Sequence, residues 1–340
     1  VFDKLDRMEL SGSSLPIVEK PFERIASYLK YINENKTTNM FKKVDLILGE
    51  GAAEFVDAHT VRVGERQVSA KRVFIAAGTR PRVPQIPGIE EVDILTNENI
   101  FSLDKVPSSM VIIGGGAIGC EMAQAFNRLG CKTSIVHQDD RLVVGADREA
   151  GELLEKVLTE EGIEVCNSCR ISRIEKREEG VVVHTEEGQS FSGERLLVAA
   201  GRQPAFEGMK LENAGVKQAE NGFIAVNKYL QTSQKSILAV GDCNGYHMFS
   251  HSAMHQGMIA IMNSMMFGPM RRDFRKYVVP WTVFTDPQVS FVGQSEKELQ
   301  AKGIKYEVIT MNYEDYGAAI AEAVDIGFVR VLASKTGRIY

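Results

Sequence analysis

Gly114, Gly116 and Gly119 stand at G-x-G-x-x-G spacing, and glycines so spaced suit one chemistry, the holding of a diphosphate against backbone N–H groups. The first permits a tight turn, the second lets the backbone approach the phosphate, and the third lets a helix lie close on a strand. The elements that must position them flank the motif. Val111, Ile112 and Ile113 read as a buried strand, Ile118, Met122, Ala125, Phe126 and Leu129 recur at helical spacing, Gly130 caps the helix, and Thr133 to Val136 resume a strand. This is a βαβ unit whose turn, Ile113, Gly114, Gly115, Gly116, Ala117, Ile118 and Gly119, is a candidate dinucleotide site. At the end of its second strand, where an acidic residue normally holds the ribose of NAD, stands His137. With no carboxylate there and with Arg141 within reach of a 2′-phosphate, NADP(H) is not excluded and weak discrimination is expected.

The 340 residues, 44% hydrophobic and 25% charged, allow two or three globular domains. A net charge of -5 gives no basic footprint for nucleic acid. No apolar run is long enough for a membrane helix, so a small-molecule partner is expected. The five cysteines are odd in number and scattered, which speaks for a reducing, cytoplasmic setting. Cys166 and Cys169 form a C-x-x-C after the strand-like run "GIEV"; with no second Cys or His pair at metal spacing, they read as two thiols at a strand end rather than as a redox pair or zinc site.

A helix is expected from Pro21 to about Asn35, with Phe22, Ile25, Ala26, Leu29 and Ile32 on one face, and short strands from Val44 to Ala77. The segment "VFIAAGTRP" ending at Pro81 is echoed by "LLVAAGRQP" ending at Pro204, implying two domains of like design. The spacing from Gly114 to Gly201 would put the glycine turn of the first copy before Val1, so the chain is read as starting inside its first nucleotide-binding domain. Beyond the second copy, the strand Ile237 to Val240 ends at Gly241-Asp242, where doubly wound sheets bind ligands. Phe249 to Met266 looks helical, and from Tyr277 a separate α+β pattern begins.

Five ordered segments, "AAGTRPRVPQIPG", "GGGAIGCEMA", "AAGRQP", "ILAVGDCNG" and "VPWTVFTDPQVSFVG", resemble those of the flavoprotein pyridine nucleotide-disulfide oxidoreductases, the group of dihydrolipoamide dehydrogenase, glutathione reductase and mercuric reductase. The resemblance implies an α/β fold with two Rossmann-like domains, for FAD and for NAD(P), and an α+β dimerisation domain. It divides the chain into an FAD domain at 1–106 and 231–274, an NAD(P) domain at 107–230 and a dimerisation domain at 275–340. It implies that Asp242, Ala77, Gly78, Thr79 and Gly51 face FAD, that Met248, Phe249, Ser250 and His251 pass the isoalloxazine, and that Gly114 to Glu121, His137, Ile171 and Gly201 form the NAD(P)H site. Glu121 would lie near the nicotinamide as the catalytic residue.

The chain departs from the family pattern in having no C-x-x-x-x-C dithiol and no His-Pro. His247, His251 and His255, at helical spacing, fall within the flavin segment, and no metal site is expected of them. The implied activity is hydride transfer between NAD(P)H and FAD in a homodimer, and onward to a small-molecule or small-protein disulfide or dithiol, or to a metal ion. The alternatives are a reductase or transhydrogenase without a dithiol, and an incomplete fragment that only binds nucleotide.

Overall fold

The computed structural model describes residues 20–321, 324 and 326–340. The beginning of the expected first FAD segment, residues 1–19, lies outside the described residues. The chain forms two compact units, one of Val1–Tyr28, Val83–Ala200 and Thr282–Tyr340, the other of Leu29–Arg82 and Gly201–Trp281.

The first unit is built on five parallel strands, numbered along the chain and arranged β6 (Ile94–Leu95), β13 (Arg195–Val198), β7 (Ser109–Ile113), β8 (Lys132–Val136) and β9 (Glu164–Cys166). Met110, Val111, Ile112, Ile135, Leu196 and Leu197 are wholly buried, as near-continuous apolar strands covered on both faces must be. Helix α2 (Ala117–Arg128) returns the chain from β7 to β8, and α3 (Arg148–Glu160) from β8 to β9, burying Ala123, Phe126, Leu154 and Leu158. The order turns at β7, with β8 and β9 on one side and β13 on the other, so the switch point lies between β7 and β13. An antiparallel sheet, β10 (Ile171–Arg177), β11 (Gly180–Thr185) and β12 (Ser190–Gly193), is inserted before β13, with Val181, Val183 and Thr185 facing inward from β11.

The same unit carries the expected α+β pattern. Helix α5 (Glu296–Ala301) starts in a capping box of Ser295 and Glu298, and β18 (Glu307–Asn312) pairs antiparallel with β19 (Phe328–Ala333). Arg330 of β19 donates from Nη1 and Nη2 to the Glu149 carboxylate, both at 2.9 Å, at the start of α3.

In the second unit β4 (Val73–Ile75) runs parallel to β15 (Ile237–Ala239). The two copies of the sequence repeat meet here, because β5 (Thr79–Pro81) pairs antiparallel with β14 (Arg202–Pro204), Thr79 opposite Pro204 and Pro81 opposite Arg202. Helix α4 (Ser250–Met265) fills the predicted helical segment.

The compact units do not follow the expected domain bounds: Phe206, Leu211, Val216 and Ile224 share a core with Ile75 and Ile237, and 83–106 lies in the first unit, where β6 pairs with β13. One expectation is corrected. Asp45 to Leu48 is not a strand, and pairing begins only at β1 (Ala53–Phe55) against β2 (Thr60–Val63). The first helix, α1 (Pro21–Ile32), buries only Phe22, packed 6.0 Å from the Phe126 ring, while Leu29 and Ile32 of its apolar face are exposed. Ile112→Ala, which empties the middle of the central strand, is expected to destabilise the first unit by about 2–5 kcal/mol in urea unfolding; an unchanged midpoint would contradict the core described here.

Candidate functional site

The glycine turn follows β7 at the switch point. Gly114 has φ +112°, and a Cβ there would strike the Ala199 carbonyl at the end of β13. A Cβ on Gly119 would collide with the Gly114 carbonyl, so these two glycines let α2 lie directly on the turn. Gly116 differs: it caps α2 without a side-chain hydrogen bond, and a Cβ there would meet nothing within 4 Å. Space beside Gly116 is thus open at the start of α2, the end of a helix at which a diphosphate is held.

His137 holds the floor of this turn. Its Nδ1 accepts from the Gly115 N–H at 3.0 Å, and Val143 N donates to the Gly115 carbonyl at 2.8 Å. The ring is buried, and burial pushes the imidazole below its ordinary range against the pull of Asp139 and Asp140. The neutral ring thus carries its proton on Nε2, which lies 3.4 Å from an Asp139 carboxylate oxygen without a hydrogen bond. Next to the buried His137, Gln138 is exposed and Asp139 half-buried. Arg141, expected to be free for a 2′-phosphate, is committed within its loop, to Asp140 at 3.3 Å and to the carbonyls of Val144 and Ala146 at 3.1 and 3.3 Å.

Glu121 is turned to another partner: its Oε1 accepts from Phe284 N at 2.9 Å, while Gln124 brackets Asp286 through its N–H and carbonyl and Arg128 pairs with the Asp286 carboxylate at 3.0 Å. One stripe of α2 is spent on docking this turn. Ile171 packs into the apolar cluster that contains Cys166 and Cys169. Gly201 belongs to the second unit, where its carbonyl accepts from Arg82 N at 2.9 Å. Cys166 and Cys169 are corrected from two free thiols to a disulfide with Cα atoms 5.9 Å apart; Cys120, Cys131 and Cys243 are free and buried.

In the second unit β4 and β15 end side by side, with Val240 N donating to the Ile75 carbonyl. Thr79 Oγ1 donates to Asp242 Oδ2 at 3.1 Å, and Arg202, which the sequence reading did not single out, donates to Thr79 Oγ1 and to the Thr79 carbonyl at 2.5 and 2.8 Å. Space beside Gly78 is open to a Cβ, so Ala77, Gly78, Thr79 and Asp242 form a polar rim at the carboxyl ends of parallel strands, where a flavin nucleotide's hydroxyls would fit. Gly51 has its back to Gly64, whose backbone N would lie 3.3 Å from a Cβ there. Met248 leads into α4; the Phe249 and His251 rings stack at 5.6 Å, and His251 Nε2 donates to the Pro280 carbonyl at 2.8 Å. His255 stacks on Tyr277 at 4.0 Å. Among the described residues no group of three His, Cys, Asp or Glu is arranged for a metal ion, and no helix is long and apolar enough to cross a membrane.

A parallel sheet with an open glycine turn at its switch point, joined to a second unit with a polar rim at its own strand ends and to an α+β segment, defines a doubly wound two-nucleotide fold. The sequence model described as pyridine nucleotide-disulphide oxidoreductase matches residues 9–257, and that of the family's dimerisation domain matches residues 279–340. The chain belongs to the pyridine nucleotide-disulphide oxidoreductase family. It is 31% identical over 312 residues to a mercuric reductase of Bacillus cereus, covering 91% of this chain and 49% of that protein. It is 31% identical over 344 residues to a dihydrolipoyl dehydrogenase of Mycoplasma genitalium, covering 99% of this chain and 71% of that one. The solved structure of the HOCl-induced flavoprotein disulfide reductase RclA from Escherichia coli superposes with a TM-score of 0.84 at 26% identity, over 99% of this chain and 76% of that chain. The chain spans about half the length of the mercuric reductases it matches.

The turn can be tested in two ways. Gly116→Val, whose Cβ meets no protein atom within 4 Å, should leave the chain folded, at a cost of about 1 kcal/mol for the poorer helix cap, yet abolish NADH binding in calorimetry; binding at wild-type affinity by the folded variant would refute the site. Because burial depresses the folded-state pKa of His137, the unfolded chain takes up its proton first, near the ordinary value of 6.5, so stability falls as pH drops below that point. Wild type should therefore lose up to about 1.4 kcal/mol per pH unit more than His137→Gln in that window, and parallel pH profiles would contradict the assignment.

Proposed function

We propose that the chain is the nucleotide-binding and dimerisation part of a homodimeric flavin enzyme that moves hydride between NAD(P)H and FAD. The observation that carries this reading is the open floor at Gly116 in one unit together with the Thr79–Asp242 rim in the other, two strand-end sites of the kind that hold nucleotides. The flavin, when bound, supplies two-electron chemistry; this chain's residues bind and orient. The α2 amides receive the diphosphate, His137 fixes the turn through Gly115, and Asp242, aligned by Thr79 and Arg202, accepts from a flavin side-chain hydroxyl. Glu121 is left out of the proposed chemistry because its carboxylate is occupied at Phe284.

The electrons would leave to a disulfide, dithiol or metal ion, the classes named by the mercuric reductase and dihydrolipoyl dehydrogenase relatives. A cytoplasmic setting is part of the reading, supported by three unpaired, buried cysteines beside a single Cys166–Cys169 disulfide that a reducing compartment would open.

With Arg141 committed and Asp139 standing where the ribose is read, the nucleotide is NADH rather than NADPH. NADH should bind at least about tenfold tighter than NADPH, a difference of about 1.4 kcal/mol, and Asp139→Asn should narrow the gap; equal dissociation constants would overturn the preference. In the holoenzyme Asp242→Ala should weaken FAD retention by about tenfold or more while NADH affinity stays unchanged, and full FAD retention in ultrafiltration would remove Asp242 from the site.

A further inference from the structure

The Cys166–Cys169 disulfide lies directly behind the floor of the glycine turn. Its four-residue turn is laced to the segment bearing His137: His137 N donates to the Cys166 carbonyl at 2.8 Å, Cys169 N to the His137 carbonyl at 2.9 Å, and Ser168 N to the Asp139 carbonyl at 2.8 Å. His137 in turn holds Gly115 through Nδ1. Three backbone bonds and one side-chain bond thus connect the sulfurs to the diphosphate cradle, with no mobile side chain between them.

A second feature marks the pair as reversible. Gln189 Oε1 lies 3.0 Å from Cys166 Sγ and 3.3 Å from Cys169 Sγ. Disulfide sulfurs have no proton to give this oxygen, whereas two thiols would both donate to it, so the oxygen favours the reduced pair. Gln189 is itself exposed, whereas Cys166 and Cys169 are 8% and 5% exposed, so this side chain stands between the sulfurs and solvent.

We propose that Cys166 and Cys169 form a thiol–disulfide switch that sets the affinity of the glycine turn for its dinucleotide. The proposal rests on the dinucleotide reading of Gly114–Gly119. Closed, the disulfide pins the 166–169 turn and with it His137 and Gly115, so the cradle is preorganised. It opens when a dithiol attacks one sulfur as thiolate: a mixed disulfide forms as the Cys–Cys bond breaks, and the second thiol of the reductant displaces the remaining cysteine. The reductant ends as a disulfide, having passed two electrons and two protons to Cys166 and Cys169. Linkage requires reciprocity, so bound nucleotide makes the disulfide harder to reduce by the same factor.

The test uses the chain with NAD+, which cannot itself reduce the disulfide. Calorimetric titration is run on oxidised protein and on protein equilibrated with dithiothreitol, and accessible thiols are counted in each sample by a thiol-specific dye. Cys120, Cys131 and Cys243 are unpaired and buried in both samples, so they cancel in the difference and the thiols gained on reduction are those of the pair. The switch predicts two new thiols and a dissociation constant at least about fivefold weaker after reduction, the lower end of coupling between linked sites. Cys166→Ser/Cys169→Ser should bind like the reduced protein and ignore dithiothreitol. Equal affinities in the two states, a double variant that still responds to dithiothreitol, or no thiols released by excess dithiothreitol would each overturn the switch. Absence of NAD+ binding in both states would instead overturn the dinucleotide site on which it stands.

Discussion

Everything in the first unit depends on how closely a helix can be set down on the strand that precedes it. Gly119 lies so near the Gly114 carbonyl that no Cβ fits between them, and Gly114 turns at a φ that side chains avoid. That contact brings the start of α2 to the mouth of the sheet with its first amides unspent. The Gly115–His137 bond then fixes the turn from below, and the loop through Val143 fixes it from the side. A cradle made this way owes its shape to backbone packing, so its specificity must come from neighbours such as Asp139.

This part of the molecule was legible in the sequence because each step had a local cause. Three glycines at fixed spacing, an apolar strand before them and a helical period after them specify the βαβ unit with little help from distant contacts. The repeat ending at Pro81 and Pro204 was visible as well, though not that its two copies would pair with each other as β5 and β14. Pairing between segments that far apart leaves no mark in either segment alone.

What escaped the sequence was set by tertiary partners. His137 stands at the position the motif singles out, but its burial sends the ring inward to Gly115, and Arg141 is absorbed by the carbonyls of its own loop. Glu121 and Gln124 lie on the stripe of α2 that receives the Phe284–Asp286 turn, a contact between segments far apart in the chain. Cys166 and Cys169 were visible as C-x-x-C, yet their bond and the Gln189 oxygen beside them required the β9 and β11 ends to meet. Phe206 and Leu211 had no periodicity to show that they would share a core with Ile75 and Ile237.

The central claim is that the amides at the start of α2 receive the dinucleotide. The most direct measurement is an amide chemical-shift titration of the chain with NADH. The account predicts that the largest shifts fall on Gly115 to Gly119 and on His137 to Asp139. It would be contradicted if those amides stayed in place while the shifts gathered elsewhere, for instance around the cleft of about 790 Å³ lined by Ser108, Arg177 and Arg195 at the opposite ends of β7 and β13.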